Sequence, residues 1–411
     1  MNSSEQLQAA EQALSPIFSG IDAAVKQNLQ RVLRAFRNQR VGTHHFTSVS
    51  GYGHDDLGRD VLDRVFAEVV QAEAAAVRVQ FVSGTHAIAC ALYGVLRPGD
   101  EMLAVVGSPY DTLEEVIGLR SPGQGSLIEF GIRYRELSLT DEGTVDWHAL
   151  ENAIKNDTRL VLIQRSCGYS WRASLAIAEI EKIVRIVKQQ NPKTVCFVDN
   201  CYGEFIEDRE PTAVGADLIA GSLIKNPGGT IVTAGGYVAG KAELVEAAAC
   251  RLTAPGIGSA GGATFDQNRL LFQGLFLAPQ MVGEAIKGNH LTAYVFDQLG
   301  YPVNPAPFAS RRDVIQAIKL GSPQKLIAFC RAIQQNSPVG SYLDPVPAAM
   351  HGYDSQLVMA GGTFIDGSTS EFSADGPLRE PYIVFCQGGT HWTHVAIALE
   401  AAIEAVQVVN Q

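Results

Sequence analysis

Two polar residues stand at the ends of apolar, strand-like runs. Asp199 ends the run TVCFVD, and Lys225 follows the run DLIAGSLI. A carboxylate at the end of a buried strand costs free energy unless it is paired, and burial helps a lysine to lose its proton and act as a nucleophile. The pair could therefore hold a cationic aromatic ring and bond to a carbonyl carbon. Read singly, Asp199 could instead cap a helix or a turn, and Lys225 could be a surface lysine in a loop.

The segment SGTH, residues 83–86, adds a candidate phosphate site. Ser83, Gly84 and Thr85 stand where a strand-like run passes into a helical one, and backbone amides at a helix start attract phosphate. A plain helix cap would use the same residue types. Together, the acid, the lysine and the phosphate site match the needs of pyridoxal 5'-phosphate (PLP), whose ring nitrogen pairs with a carboxylate and whose aldehyde forms a Schiff base with lysine. The chain has no GxxxxGK[ST] and no convincing GxGxxG, so a nucleotide site has little support.

Strand-like and helical patterns alternate along the chain, which predicts an α/β fold with a mostly parallel sheet and ligands at the carboxyl ends of its strands. From about residue 290 the pattern changes. The segment RDVIQAIKL predicts a helix, and short strands follow it, which indicates a smaller α+β domain. The predicted strands of the large domain are VRVQFV, EMLAVV, RLVLIQ, TVCFVDN, DLIAGS and TAGGYVAG. We expect a helical arm and loop at residues 1–60, the large domain at 61–288 and the small domain at 289–411.

Composition excludes several classes of protein. The chain has 411 residues, 46% of them hydrophobic, and a formal net charge of −11, which argues against disorder and against a nucleic-acid partner. Its start lacks a secretory signal pattern, and no run approaches the roughly 20 apolar residues that a membrane span needs. Seven scattered cysteines without a CxxC pair predict reduced thiols in the cytoplasm and no metal site.

The order of these motifs resembles a known group. SGTHA, SPYDT, VDN and SLIKNPGG follow one another as in the fold-type-I PLP enzymes of cysteine and methionine metabolism. The sequence is most similar to the methionine γ-lyase-like family, whose members are labelled aluminium resistance proteins or cystathionine β-lyases. The resemblance runs from about residue 40 to the end and is carried by the set of motifs. Its signature segments include GYGHDDLGRD, QRSCGYSWRAS, TAPGIGSAGGAT and REPYIVFCQGG.

The resemblance implies a role for each motif residue. Lys225 forms the internal aldimine with PLP, and Asp199 pairs with the ring nitrogen. Tyr110 stacks on the ring and assists catalysis. Many relatives place Ser or Thr directly before the lysine, whereas this chain has Ile224, so that phosphate contact is missing or replaced. The phosphate-binding residues implied are Ser83, Gly84, Thr85 and Ser222.

The resemblance also implies that the active site is shared between subunits. Relatives bring a Tyr and an Arg from the neighbouring subunit to the phosphate, and Tyr52 and Arg59 lie in the matching stretch, although their spacing differs. We therefore expect a homodimer or homotetramer with shared sites. An amino-acid substrate needs a partner for its carboxylate, typically an arginine, and Arg379 is the nearest candidate to the matching strand; it could also be a surface residue that pairs with an acid.

The sequence thus predicts a PLP-dependent carbon–sulfur lyase for a methionine- or cystathionine-like amino acid. Another fold-type-I reaction, such as amino transfer or an aldol-type cleavage, remains an alternative, because the fold does not fix the reaction. A third hypothesis is a stress-response protein of the PLP fold with little turnover.

Overall fold

Apolar runs that are covered on both faces build the central sheet. The computed structural model describes residues 2–120, 124–350, 353, 355–368 and 370–409. Seven strands form the large sheet in the order β1-β7-β6-β5-β4-β2-β3, and of these only β7 runs antiparallel to its neighbours. The strands are β1 (Ala74–Arg78), β2 (Glu101–Ala104), β3 (Arg133–Glu136), β4 (Thr158–Gln164), β5 (Val195–Asp199), β6 (Leu218–Ser222) and β7 (Gly236–Gly240).

A second, antiparallel sheet follows in the C-terminal part of the chain. Its five strands lie in the order β10-β11-β12-β9-β8, and the α/β fold class predicted from the sequence is confirmed. The strands are β8 (Val303–Asn304), β9 (Ile315–Lys319), β10 (Leu357–Ala360), β11 (Ser373–Pro377) and β12 (Ile383–Gln387).

Helices cover both sheets. The first six are α1 (Ser3–Asn38), α2 (Leu57–Val70), α3 (Gly84–Val95), α4 (Asp111–Ile117), α5 (Trp147–Ala153) and α6 (Ile177–Gln190). The other four are α7 (Ala242–Leu252), α8 (Asn268–Gln298), α9 (Pro323–Gln335) and α10 (Trp392–Val408). No helix in the described part of the chain combines the length and the apolar character that a membrane crossing requires.

Two long helices connect the two hydrophobic cores. In α8, Leu271 and Phe272 pack in the core of the large sheet, whereas Leu291 and Phe296 pack in the core of the small sheet. Helix α1 also contributes to both cores. Its first half packs in the core of the small sheet, and Val32 packs in the core of the large sheet. The domain boundary predicted at residues 288 and 289 falls inside α8, where the packing passes from one core to the other.

The sequence interpretation was wrong for RDVIQAIKL, which contains the strand β9 instead of a helix. Strand β9 lies between β12 and β8, and its residues Ile315 and Ile318 are buried on opposite faces. A strand covered on both sides shows no polar–apolar alternation, so its apolar spacing looks helical. The strand expected at VRVQFV is also displaced, because β1 ends at Arg78.

A close contact between α8 and the turn after Lys225 positions the lysine. A Cβ atom on Gly274 would overlap the carbonyl oxygen of Gly228 and lie 2.7 Å from Val232 Cγ2, and Gly228 belongs to the 3₁₀ turn that follows the lysine directly. The glycine thus lets the helix approach the turn at backbone distance.

We expect Gly274→Ala to destabilise the protein by about 1–3 kcal/mol, because the added methyl overpacks this contact. It should also weaken PLP binding, since the turn moves Lys225. Gly20→Ala in α1 is the matched control, because a Cβ there meets nothing within 4 Å, and it should stabilise the helix by about 0.5–1 kcal/mol. Urea unfolding measures both changes, and equal midpoints for Gly274→Ala and the parent would contradict the contact's role.

Candidate active site

The carboxyl ends of β4, β5 and β6 bring the predicted residues together. In register, Asp199 lies opposite Gln164 of β4 and Ala220 of β6, and Ser222 ends β6. Lys225 follows three residues later, at the start of the 3₁₀ turn. The strand ends therefore form one edge, as expected for a parallel sheet.

Arg165 holds the turn that follows β5. Its backbone N–H donates to the carbonyl oxygen of Asp199 at 3.1 Å, and its fully buried guanidinium donates to Asn200 Oδ1 at 2.9 Å and Gly203 O at 2.7 Å. Within this turn Tyr202 has a φ of +70°, a left-handed conformation that costs free energy for a tyrosine. The guanidinium thus maintains a strained turn, and this turn carries side chains of the cleft beside Asp199.

Asp199 is a buried carboxylate without a cation of its own. It is 4% exposed, and its Oδ1 accepts a hydrogen bond from the Cys201 N–H at 3.1 Å. Within the described residues no Lys, Arg or His nitrogen lies within 4.0 Å of it. Burial raises the pKa of Asp199, while the bond from Cys201 and the charge of Lys225 oppose the rise. The protonated ring nitrogen of PLP is the kind of cation that this position lacks.

Lys225 faces the ring of Tyr202. Its Nζ lies 3.7 Å from the ring centroid, a cation–π distance. Burial lowers the pKa of Lys225, but Tyr202, Cys201 and Asp199 raise it, and the balance lies above the ordinary value. Sequence reasoning missed Tyr202. Its position three residues after Asp199, on the same strand-end turn, was the available signal.

The start of α3 forms a cradle next to these residues. Ser83 caps the helix, and its Oγ accepts from the His86 N–H at 3.1 Å. A Cβ on Gly84 would lie 3.1 Å from both Cys201 Sγ and Ser222 Cβ, so the glycine keeps space at the helix start. The first turn of α3 carries no acidic residue. These features fit a phosphate group, with amides, the positive end of the helix dipole and Ser222 close together.

Tyr110 connects the cradle to the carboxylate. Its hydroxyl lies 2.9 Å from Thr85 Oγ1, and its N–H donates to Gln164 Oε1 at 2.9 Å. Burial and then the charge of Asp199 raise the pKa of the Tyr110 hydroxyl well above its usual value. The side chain therefore keeps its proton at neutral pH beside the space that a cofactor ring would occupy.

The small sheet contributes a second buried carboxylate, which sequence reasoning also missed. Asp375 of β11 is 5% exposed; its Oδ2 accepts from Gln387 Nε2 at 3.3 Å, and its Oδ1 has no partner. Burial raises its pKa to about 6, and the nearby Tyr169 hydroxyl and the charge of Lys225 partly oppose the rise. The acid in the strand SADGP was a detectable signal, because a buried acid in a strand is costly.

In the structure Arg59 is buried against loops of its own chain. Its guanidinium is 2% exposed, and every N–H that it carries has an acceptor in the same chain. The acceptors are the carbonyl oxygens of Gly53, Ala260 and Gly262 and the carboxylate of Asp60. Arg59 therefore ties two loops of one chain together, and its contact with the phosphate of a neighbouring subunit stays a prediction.

Tyr52 and Arg379 lie elsewhere than Lys225. Tyr52 is 83% exposed, and its carbonyl oxygen accepts from the Gly262 N–H at 2.9 Å, so its ring is free to meet another chain. Arg379 is exposed in the turn between β11 and β12, whereas the Lys225 ammonium is desolvated by burial. The structure thus does not bring Arg379 to the cleft. Within the described residues no cluster of three His, Cys, Asp or Glu side chains could hold a metal ion.

Comparison with known proteins gives the family. The family described as methionine gamma-lyase matches residues 3–407. A Listeria monocytogenes protein, provisionally named a cystathionine beta-lyase involved in aluminum resistance, is 45% identical, with a TM-score of 0.96 over 98% of this chain and 100% of its own. A carbon-sulfur lyase involved in aluminum resistance from Clostridium novyi is 45% identical, with a TM-score of 0.94 over 99% and 96% of the two chains.

A more distant structure shows the breadth of the fold. The pyridoxal-5'-phosphate dependent protein YhfS from Escherichia coli is 17% identical, with a TM-score of 0.62 over 93% of this chain and 97% of its own. These findings confirm the predicted fold-type-I architecture, PLP dependence and carbon–sulfur lyase class. The chain belongs to the methionine gamma-lyase family.

Proposed function

We propose that the protein uses Lys225 and Asp199 to hold PLP and cleaves a carbon–sulfur bond of a cystathionine-like amino acid. The observation that carries the proposal is the buried Asp199, which has no cation of its own and lies on the strand edge next to Lys225. PLP, when bound, supplies an electron sink for the bonds at the substrate's Cα.

The chain's own residues would position the cofactor and move protons. Asp199 would keep a positive charge on the ring nitrogen, and Ser83, Gly84, Thr85 and Ser222 would hold the phosphate. Lys225, once released, would carry a proton between substrate carbons, because its Nζ is the basic nitrogen in the cleft. Tyr110 holds a proton close to Thr85 and would donate it to the leaving sulfur.

Asp375 favours one of the two substrate classes. Its carboxylate is buried, interacts with the charge of Lys225, and has an Oδ1 without a hydrogen bond of good geometry, and a buried carboxylate is stabilised by a cationic ligand. Cystathionine carries a second ammonium group beyond its sulfur, whereas the methyl end of methionine is uncharged. We therefore favour a substrate with a distal ammonium.

The seven free cysteines support a reducing compartment, and we propose the cytoplasm. The substrate is a small amino acid, and we propose no nucleic-acid or membrane partner.

Replacing Lys225 or Asp199 tests the cofactor site. Lys225→Ala should abolish turnover, and borohydride should no longer fix PLP to the chain. Asp199→Ala should weaken PLP binding and lower kcat by orders of magnitude, because the ring loses its counter-charge. Absorption spectra with titrated PLP measure binding independently of turnover. Near-normal turnover of Asp199→Ala would remove Asp199 from this role.

Asp375→Asn should separate the substrates. We expect kcat/KM for cystathionine to fall about tenfold or more, because a charge-assisted bond is lost, and kcat/KM for methionine to change by less than about twofold. Asp344→Asn, at an exposed acid paired with Arg331, is the matched control. An equal loss for both substrates would contradict the selective role.

The same variant should be more stable than the parent at pH 8. The folded-state pKa of about 6 lies above the ordinary value of 3.8, so the buried charge costs nothing below pH 3.8 and costs most above pH 6. Removing it should stabilise the protein by about 2–3 kcal/mol at pH 8 and by little near pH 4. Urea unfolding at the two pH values measures the difference, and a pH-independent effect would count against the raised pKa.

We also propose a homo-oligomer, dimer or tetramer, in which each Tyr52 serves the site of its neighbour. Exposed apolar side chains near the α3 cradle support it: Tyr52 and Val82 are each 83% exposed and Phe265 is 67% exposed. Two hydrogen bonds join their loops. The Gly262 N–H donates to Tyr52 O, and the side-chain amide of Gln80 donates to Ala263 O. Contiguous exposed apolar surface of this kind indicates an interface.

Complementation tests the shared site. Tyr52→Ala should weaken PLP binding, and a mixture of Tyr52→Ala and Lys225→Ala chains should regain activity on subunit exchange, because one site of each mixed dimer is intact. Sedimentation should show an oligomer for each variant. Demonstrated mixed dimers without regained activity would exclude sharing through Tyr52.

A further inference from the structure

A cavity of about 280 Å³ lies between α1 and α8, separate from the residues of the cleft. Its walls are mainly apolar and come from the two helices, the segment before β9 and the end of the turn after β5. The residues that form most of the apolar wall are Ile17, Ile21, Val25, Phe205, Ile286 and Phe308. An apolar cavity of about 150 Å³ is large enough to bind benzene, so this volume suits a small organic molecule.

Arg311 supplies a charged end to this cavity. The side chain is 7% exposed; one terminal nitrogen donates to Gln316 Oε1 at 2.5 Å, and the other reaches two backbone carbonyls only at 3.5 Å. Its Nε is buried without any acceptor. A buried donor left in this state costs about 1–3 kcal/mol.

Arg311 also lacks a counter-charge. Within the described residues no carboxylate oxygen lies within 4.0 Å of it, whereas buried Lys287 on the neighbouring face of α8 pairs with Asp22 at 2.6 Å and Glu284 at 3.0 Å. Burial lowers the pKa of Arg311 to about 9, and the more distant Asp313 only partly opposes this. Asp313 itself accepts hydrogen bonds from Ser166 and Ser174.

His290, another polar residue of the cavity wall, carries no opposing negative charge. His290 Nδ1 lies 2.7 Å from the carbonyl oxygen of Pro307, and burial and then Arg311 lower the pKa of His290 to about 4. The imidazole is therefore neutral at physiological pH, and among the described residues that line the cavity only the guanidinium carries a formal charge.

We propose that this cavity binds a small carboxylate with an apolar tail, its carboxylate on Arg311 and its tail among the apolar side chains of α1 and α8. The ligand would provide both the acceptor and the negative charge that Arg311 lacks. Phe205 and Ile206 of the wall belong to the turn that carries Asp199 and Tyr202, so a bound ligand would contact the element that supports the cleft. The proposal is independent of the lyase substrate.

Calorimetric titration of the PLP-loaded protein with 4-methylpentanoate tests the site. We expect saturable binding of one molecule per chain, and at least about tenfold weaker binding of the neutral 4-methylpentanamide and of acetate, which lack the charge and the tail respectively. Arg311→Gln should weaken binding by a similar factor, while Arg312→Gln, at the neighbouring arginine that pairs with Glu179 on the surface, should bind as the parent does.

A second variant fills the cavity without touching Arg311. Gly20 lines the cavity, and a Cβ there meets nothing within 4 Å. Gly20→Leu should abolish binding and leave lyase activity unchanged, whereas Ser19→Leu, at the adjacent exposed residue, should change neither. Absence of binding to the parent, unweakened binding to Gly20→Leu, or equal binding of the amide would each overturn the proposal.

Discussion

The burial of Asp199 without a cation is the constraint on which the site depends. Its environment raises its pKa, so the buried charge costs free energy that a bound cationic ring would offset. Two neighbouring residues keep the carboxylate in place. Arg165 holds the turn that follows Asp199, and the Cys201 N–H donates a hydrogen bond to the carboxylate. The fold thus keeps a negative charge in place before any ligand arrives, which is electrostatic preorganisation.

A second layer of buried polar groups supports this turn from behind. Glu210 pairs with Arg31 at 3.2 Å and also lies 3.7 Å from Arg165, whereas Glu204 accepts from the Tyr237 hydroxyl at 2.7 Å. Burial raises the pKa of Glu204 to about 8, so this carboxyl is mainly protonated at neutral pH. One acid is therefore neutralised by arginines and the other by a proton, and the turn rests on a network of little net charge.

The sequence predicted those parts of the site that follow from position along a strand. Asp199 and Lys225 end apolar runs, and the geometry of parallel strands places such ends on one edge. The placement of Tyr202 depends instead on a left-handed backbone angle, and the contacts of Asp375 and Arg59 depend on segments that are separate in the chain. Strand β9 was misread for a related reason, since burial on two faces is a property of the assembled cores.

Helix α8 links the turn that carries Lys225 to the sheet that carries Asp375. Near its start, Gly274 contacts the turn that carries Lys225; near its end, Leu291 and Phe296 join the core beneath the strand that carries Asp375. Helix α1 lies along α8 and packs in both cores as well. Because an α-helix resists changes in length, this helix pair restrains the separation between Lys225 and Asp375. The packing between α1 and α8 therefore bears on the width of the cleft, and Arg311, which has no counter-charge among the described residues, lies at the cavity between the same two helices.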